Sequence, residues 1–318
     1  MRRTLQGWAG SLTQFWIVLA VVTESSVFAI LSPSFLTLGN FVNVALQIAI
    51  YGILAVGMTL VIITGGIDLS VGSVVALSGV AAAAVMEKVS GHLGLSVLLA
   101  AVLGICLGLV SGGFSGLMIT RLRVPPFIVT LALMTIGRGL AFILTGGFSI
   151  GNLPLGFGFL GRGHLGLIPI PVVTMGLIFA AGYLLLSKSQ YGRYIYSIGG
   201  NEEASRLSGI DTKRVVQGVY LINGGLAGLA GITLASRLGA GVPNSGLQYE
   251  LDVIAAVVVG GTSLMGGSGS VMGTLWGTIF IGILNNGLNL ANVDPYTQKV
   301  ALGVVILLAV LLDRIKKH

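Results

Sequence analysis

Long apolar runs, separated by short polar or glycine-rich interruptions, fill the chain from end to end. About 20 apolar residues, rising ~1.5 Å each as a helix, cross the hydrocarbon of a bilayer. That ruler predicts ten spans, near 14–31, 43–63, 71–87, 95–120, 127–145, 169–187, 215–235, 251–265, 270–290 and 298–313. The fourth is long for a crossing and the eighth short. The pattern predicts an all-α fold, a polytopic membrane protein of about ten transmembrane helices.

Composition agrees. Of 318 residues, 54% are hydrophobic and 8% charged, whereas a soluble domain carries about 25% charged residues. Fifty glycines add a second sign: small residues let transmembrane helices approach closely where packing drives association. Gly104, Gly108, Gly112 and Gly116 repeat four apart along the fourth span, and Gly224/Gly228 and Gly273/Gly277 repeat the spacing. The single Cys106 can form no internal disulfide. The basic start and apolar "FWIVLAVV" resemble a signal peptide, but everything after is equally apolar, so an uncleaved first span is expected.

Charge sets the orientation. With the N-terminus inside and spans alternating, Arg2, Arg3, Arg121, Arg123, Lys188, Arg193, Arg206, Lys213, Arg214, Arg314, Lys316 and Lys317 lie inside, and Lys88, Arg162, Arg237 and Lys299 outside. Arg138 stays within a span. This bias predicts both termini in the cytoplasm. It also accounts for the net charge of +7 without nucleic acid as a partner. Two loops are long: 146–169, rich in Gly and Pro, outside, and 187–214, the most polar stretch of the chain, inside.

An internal echo appears. "GGIDLSVGSVVALSG" from Gly65 is answered by "GGTSLMGGSGSVMGTLWG" from Gly260 with a two-residue insertion, and "VPPF" at Val124 by "VDPY" at Val293. Repeat halves of 32–186 and 215–318 within one domain, 1–318, are expected, as transporters often carry. Gly65–Gly66 and Gly260–Gly261 each predict a helix end in the left-handed conformation. Asp68 or Ser70 can cap the following helix. The second copy aligns Thr262 and Ser263 with Ile67 and Asp68, so the break recurs and the charge does not. Two readings stand: a capped turn near the surface, or a broken helix beside a translocation path, which irregular backbone at membrane depth requires.

Other polar residues stand in apolar runs. Arg138 costs ~2.5–3.5 kcal/mol near a bilayer centre. It either pairs with Glu24, Asp68 or Asp252, or snorkels to an interface. Asn285, Asn289 and Asn292 form one helical stripe flanked by Asn286. Their amides suit a neutral hydroxylated solute and equally suit bonds between helices. In the inner loop, Asn201 can cap a helix starting at Glu202–Glu203, with Arg206 in its last turn and Gly209 ending it. No phosphate-binding G-x-x-x-x-G-K-[ST] loop occurs, His92, His164 and His318 are scattered, and no Ser/His/Asp grouping stands out. No metal, cofactor or catalytic step is expected of this chain.

"GRYIYSIGGNEEASRLSGI" (192–210) resembles the cytoplasmic loop of permease subunits of monosaccharide ABC importers, the ribose-type group. "GMTLVIITGGIDLSVGS", "YELDVIAAVVVGGTSLMGG" and "LNNGLNL" are similar to the same group, from about Ser32 to the C-terminus. The resemblance implies a non-catalytic bacterial inner-membrane subunit. It would pair with a second permease subunit, dock cytoplasmic ATP-binding subunits, and receive its ligand from a periplasmic sugar-binding protein. Asn201, Glu202, Glu203, Ala204, Arg206, Gly209 and Ile210 would form the ATPase-coupling element, and a pentose such as ribose is the favoured cargo. The candidate path comprises Gly65, Gly66, Asp68, Ser70, Gly260, Gly261, Thr262, Ser263, Asn285, Asn286 and Asn289. The competing class is a secondary transporter driven by an ion gradient, with Asp68 or Asp252 as coupling acid.

Overall fold

The computed structural model describes residues 2–89 and 93–315, with side chains of 15–89 and 93–311. His92, His318 and the side chains of Arg2, Arg3, Arg314, Lys316 and Lys317 lie outside the described residues. Thirteen α-helices are described in chain order. They are α1 (Arg2–Leu31), α2 (Leu38–Ile63), α3 (Val71–Lys88), α4 (Leu93–Arg121), α5 (Pro126–Thr145), α6 (Phe159–Arg162), α7 (Ile170–Lys188), α8 (Gln190–Gly200), α9 (Glu202–Leu207), α10 (Thr212–Leu238), α11 (Tyr249–Val259), α12 (Val271–Leu290) and α13 (Pro295–Ile315). Among the described residues the only strands are two-residue β1 (His164–Leu165) and β2 (Ile168–Pro169), an antiparallel pair.

Seven helices, α2, α3, α4, α5, α7, α10 and α12, are long and apolar enough to cross a membrane, and α1 and α13 carry shorter apolar segments. The protein is an all-α polytopic membrane protein. Helices α2, α3 and α10 form its core, where Ile53, Leu54, Met58, Ala227 and Ala230 are fully enclosed. Around them α4, α5 and α7 turn large apolar side chains outward, such as Val110, Ile143 and Leu177.

The glycine ladder explains the tightest contact. A side chain at Gly108 would strike the Gly224 carbonyl, one at Gly112 the Tyr220 carbonyl, and one at Gly228 the Gly104 carbonyl. Helices α4 and α10 thus meet backbone to backbone. Gly273 and Gly277 bring α12 equally close to the Gly260 and Ala256 carbonyls at the end of α11.

Four expectations need correction. The eighth span is not 251–265: α11 has eleven residues, ~16 Å of helix, because the chain leaves the helix at Gly260. The polar inner loop holds a second helix, α8, capped by the Ser189 hydroxyl accepting from Gly192 N. Asn292 leaves the asparagine stripe, since α12 stops at Leu290 and Asn292 takes a left-handed φ of 54°. The echo is also shifted. In the first break the left-handed residue is Gly65, with Gly66 N bonding Val61 O and Gly65 N bonding Ile62 O. In the second it is Gly261, with Thr262 N bonding Val257 O and Gly261 N bonding Val258 O. Both are Schellman endings, but Gly65 matches Gly261, one residue later than the letters suggest. The second linker, 260–270, is four residues longer than the first, 64–70.

Candidate functional site

One end of the bundle gathers both breaks and the polar loop. Helix α8 ends at Gly199–Gly200, where a side chain on Gly199 would overlap the Ile63 carbonyl and Gly267 N. Gly267 N itself donates to Ile63 O at 2.8 Å. The Tyr196 hydroxyl donates to Gly269 O at 2.8 Å. The end of α2, the second linker and α8 therefore form one junction, and it has no room for a Cβ at Gly199.

Helix α9 continues directly from α8. The Asn201 side chain accepts from Ala204 N at 2.9 Å. Gly209 takes φ 86°, and Gly209 N and Ile210 N bond Arg206 O and Ser205 O, a third Schellman ending. The Ser197 and Ser205 hydroxyls meet at 2.7 Å and tie α9 to α8. Only Ser205 of α9 is buried; Glu202, Glu203, Ala204 and Arg206 face solvent. The Arg206 guanidinium bonds Glu203 at 2.6 and 3.1 Å and holds its carboxyl below the usual value. Tyr191 anchors α8 to α10 by donating to Val215 O, and burial pushes its phenol up to about 12.

An open cavity of ≈780 Å³ joins features that the sequence kept apart. Its wall runs from Thr64–Gly66 through the α4–α5 turn at Arg123–Pro126 to Glu202, Glu203 and Arg206 of α9. At the end of α9, Leu207 is 77% exposed.

Asp68 does not cap α3 by the usual route. Its Oδ1 accepts from Ser70 N at 2.8 Å and from the Ser70 hydroxyl at 2.6 Å, and its Oδ2 accepts from Asn223 Nδ2 at 2.8 Å. Ser70 makes no side-chain cap bond. Asp68 is buried and fastens the first linker to α10. In the second linker Ser263 N bonds Ser268 O, and the Thr262 hydroxyl is buried without a partner.

Arg138 pairs with none of the three acids proposed for it. Its Nη1 donates to the Pro243 and Ser245 carbonyls, both at 2.7 Å, so backbone from another segment supplies the acceptors. Glu24 is half-buried, and neither carboxylate oxygen has a partner. Asp252 is buried, beside Tyr51 and Asn285. The remaining asparagines bond across elements: Asn286 and Asn40 exchange amide bonds at 2.9 and 3.0 Å, and Asn289 accepts from Gln298.

Comparison with known proteins fits this geometry. A profile of the family described as "Branched-chain amino acid transport system / permease component" matches residues 40–310. The chain belongs to that permease family. It is 49% identical over 292 residues to the ribose import permease protein RbsC of Bacillus subtilis (strain 168), covering 91% of this chain and 89% of that one. It is 43% identical over 315 residues to the ribose import permease protein RbsC of Escherichia coli (strain K12), covering 96% of each. The D-allose transport system permease protein AlsC of the same organism is 35% identical over 303 residues, covering 94% and 90%. No solved structure matches the chain.

Proposed function

We propose that this chain is the membrane-spanning subunit of an ATP-driven importer of a monosaccharide, with a ribose-like sugar favoured. The observation that carries the reading is its near-complete match to sugar permeases, ribose permeases at the highest identity. The chain crosses the bacterial inner membrane ten times, one of the crossings being made by the short α11 together with its flanking linkers, and both termini lie in the cytoplasm. Its halves are 32–186 and 215–318, separated by the coupling loop 187–214. Two such subunits pair, cytoplasmic ATP-binding subunits dock on the loop end, and a periplasmic binding protein delivers the sugar.

The working part is α9. Asn201 and Gly209 fix its ends, Glu202, Glu203, Ala204 and Arg206 meet the ATPase, and Ile210 returns the chain to the bundle. When the ATPases close, α9 and α8 move together. The Gly199 junction passes that motion to both helix breaks, at Gly65–Ser70 and Gly260–Ser263. The polar path is lined by the breaks and by Asn285, Asn286 and Asn289. No bond is made or broken in this chain.

The test is uptake of labelled ribose into proteoliposomes holding the permease and its ATP-binding subunits. Uptake that needs ATP and the binding protein, and survives collapse of ion gradients, is expected. Uptake abolished by an ionophore with ATP present would overturn the reading in favour of a secondary transporter.

A further inference from the structure

Two cations on the wall of the open cavity beside α9 are free. Arg123, in the α4–α5 turn, and Lys213, in the first turn of α10, both line it. Neither makes a side-chain hydrogen bond or ion pair among the described residues. The glycine ladder brings them together. It sets Gly108 against Gly224, Gly112 against Tyr220 and Gly116 against Gln217. The next step of these antiparallel helices sets Thr120 beside Lys213, with Arg123 just past the end of α4. Arg123 also takes a φ of 55°, in the left-handed region that glycine favours. Non-glycine residues held there cluster at ligand clamps and switches.

The rest of the polar wall has the opposite character. The hydroxyl protons of Thr64, Thr120 and Tyr220 are committed to the Val61, Gly116 and Ile67 carbonyls, so these oxygens offer lone pairs to the cavity. Glu202 adds a carboxylate that makes no ion pair among the described residues. Arg206 and Glu203 hold each other. An occupant must therefore bring an anion for the two free cations and O–H donors for the acceptors.

The cavity is also deep enough for a small molecule. Tyr220 is fully buried and Thr120 is 8% exposed, so the floor lies inside the bundle. A protein docked on α9 borders the mouth and leaves that floor unfilled. The volume of ≈780 Å³ falls within the ~300–1,000 Å³ of small-molecule sites.

We infer that this cavity binds a phosphate ester bearing free hydroxyls, a phosphorylated sugar, and that its binding slows import. The phosphate lies on Arg123 and Lys213, and the hydroxyls donate to Glu202 and the threonine oxygens. Glu202 belongs to α9 and Arg123 to the α4–α5 turn, so the ligand bridges parts that move relative to one another in the transport cycle. It acts by favouring the state in which the cavity is open. The sugar half of the ligand and its access from the cytoplasm rest on the importer reading above; the cationic seat does not.

Two measurements test it. The full chain, in nanodiscs of phosphatidylcholine and without ATP-binding subunits, is titrated calorimetrically with ribose 5-phosphate, inorganic phosphate and ribose. Saturable binding of ribose 5-phosphate is expected, with the other two weaker by about tenfold or more, the effect of one lost charged hydrogen bond. Arg123→Gly, which suits the left-handed backbone, and Lys213→Gln should each weaken binding by about tenfold. Arg193→Gln, which removes an exposed cation outside the cavity, should not. No binding by wild type, or wild-type binding by Arg123→Gly, would overturn the site. Inorganic phosphate binding as tightly as the ester would overturn the sugar half. This arm needs neither ATP nor transport, so its failure is distinct from failure of the importer reading. In the assembled transporter in the same lipid, saturating ribose 5-phosphate on the ATP side should lower ribose uptake severalfold, and less so in Arg123→Gly. Unchanged uptake would overturn the regulatory role. Inhibition that follows added phosphatidylglycerol and ignores the sugar phosphate would give the seat to a lipid headgroup and overturn the soluble ligand.

Discussion

The two breaks end their helices the same way and then diverge. After Gly65 the chain buries an acid, and Asp68 binds Ser70 and, on α10, Asn223. After Gly261 it buries no acid and closes on itself through Ser263 and Ser268. Ser270 then caps α12 by accepting from Gly273 N at 2.9 Å, a service that Ser70 does not perform for α3. What recurs is the Schellman ending; what differs is how each linker is held. The carboxylate is therefore a fastening to α10, and the break does not depend on it.

The comparison is broken most strongly where the breaks touch. Gly199→Val places a side chain on the Ile63 carbonyl and Gly267 N, and overpacking of this kind costs ~1–3 kcal/mol or more. Ribose uptake and the yield of monodisperse protein should both collapse. Gly200→Val is the matched control, since nothing lies within 4 Å of a side chain there. Equal behaviour of the two variants would remove the junction from the account.

A smaller effect distinguishes shape from charge at the first break. Asp68→Leu strands Ser70 and Asn223, at ~1–3 kcal/mol for each buried group left unpaired. Asp68→Asn should be mild, because Asn223 Oδ1 has no partner and a turned amide can exchange bonds with a new one. Thermal unfolding in detergent should rank wild type near Asn and well above Leu. An Asn variant that keeps its melting point and loses all transport would restore a charge-specific role. At the second break Ser270→Ala should cost ~0.5–2 kcal/mol for a lost helix cap, read as a lower melting point. No change would mean the cap is dispensable.

The smallest effect on stability is expected at α9. Arg206 holds Glu203 below its ordinary value, so the contribution is present above the unfolded pKa and fades as pH falls through the folded one. Both groups are fully solvent-exposed, so the pair should add nothing measurable to the melting point, and Glu203→Gln should show the same melting profile as wild type between about pH 7 and about pH 5. Its co-purification with the ATP-binding subunit should weaken. Undiminished co-purification would argue against α9 as the docking element.

Much of this was legible because its causes are local. Asn201 and Gly209 lie within one turn of the ends they fix, and each GG pair marks its own helix ending. The apolar runs located ten of the thirteen helices, α11 with its end misplaced. Helix α8 was legible too, since Tyr191, Tyr194, Ile195 and Ile198 repeat at helical spacing, but charge drew attention to its neighbour. The length of α11 was legible too: Gly260–Gly261 marks its end, and a span drawn on to 265 to reach membrane length passed over that signal. Partners distant in sequence were not legible. Asn223 lies 155 residues from Asp68, and Arg138 is satisfied by carbonyls, which every residue carries and no letter marks.

The central claim is that the coupling helix and the two breaks move as one body. Spin labels at Ser208, Met265 and Leu122 in a Cys106→Ser background, all exposed positions, test it by pulsed dipolar spectroscopy on the assembled transporter. Between the nucleotide-free and ATP-trapped states, the 208–265 distance should stay fixed while 208–122, across the open cavity, changes. A 208–265 distance that shifts with nucleotide would contradict the account.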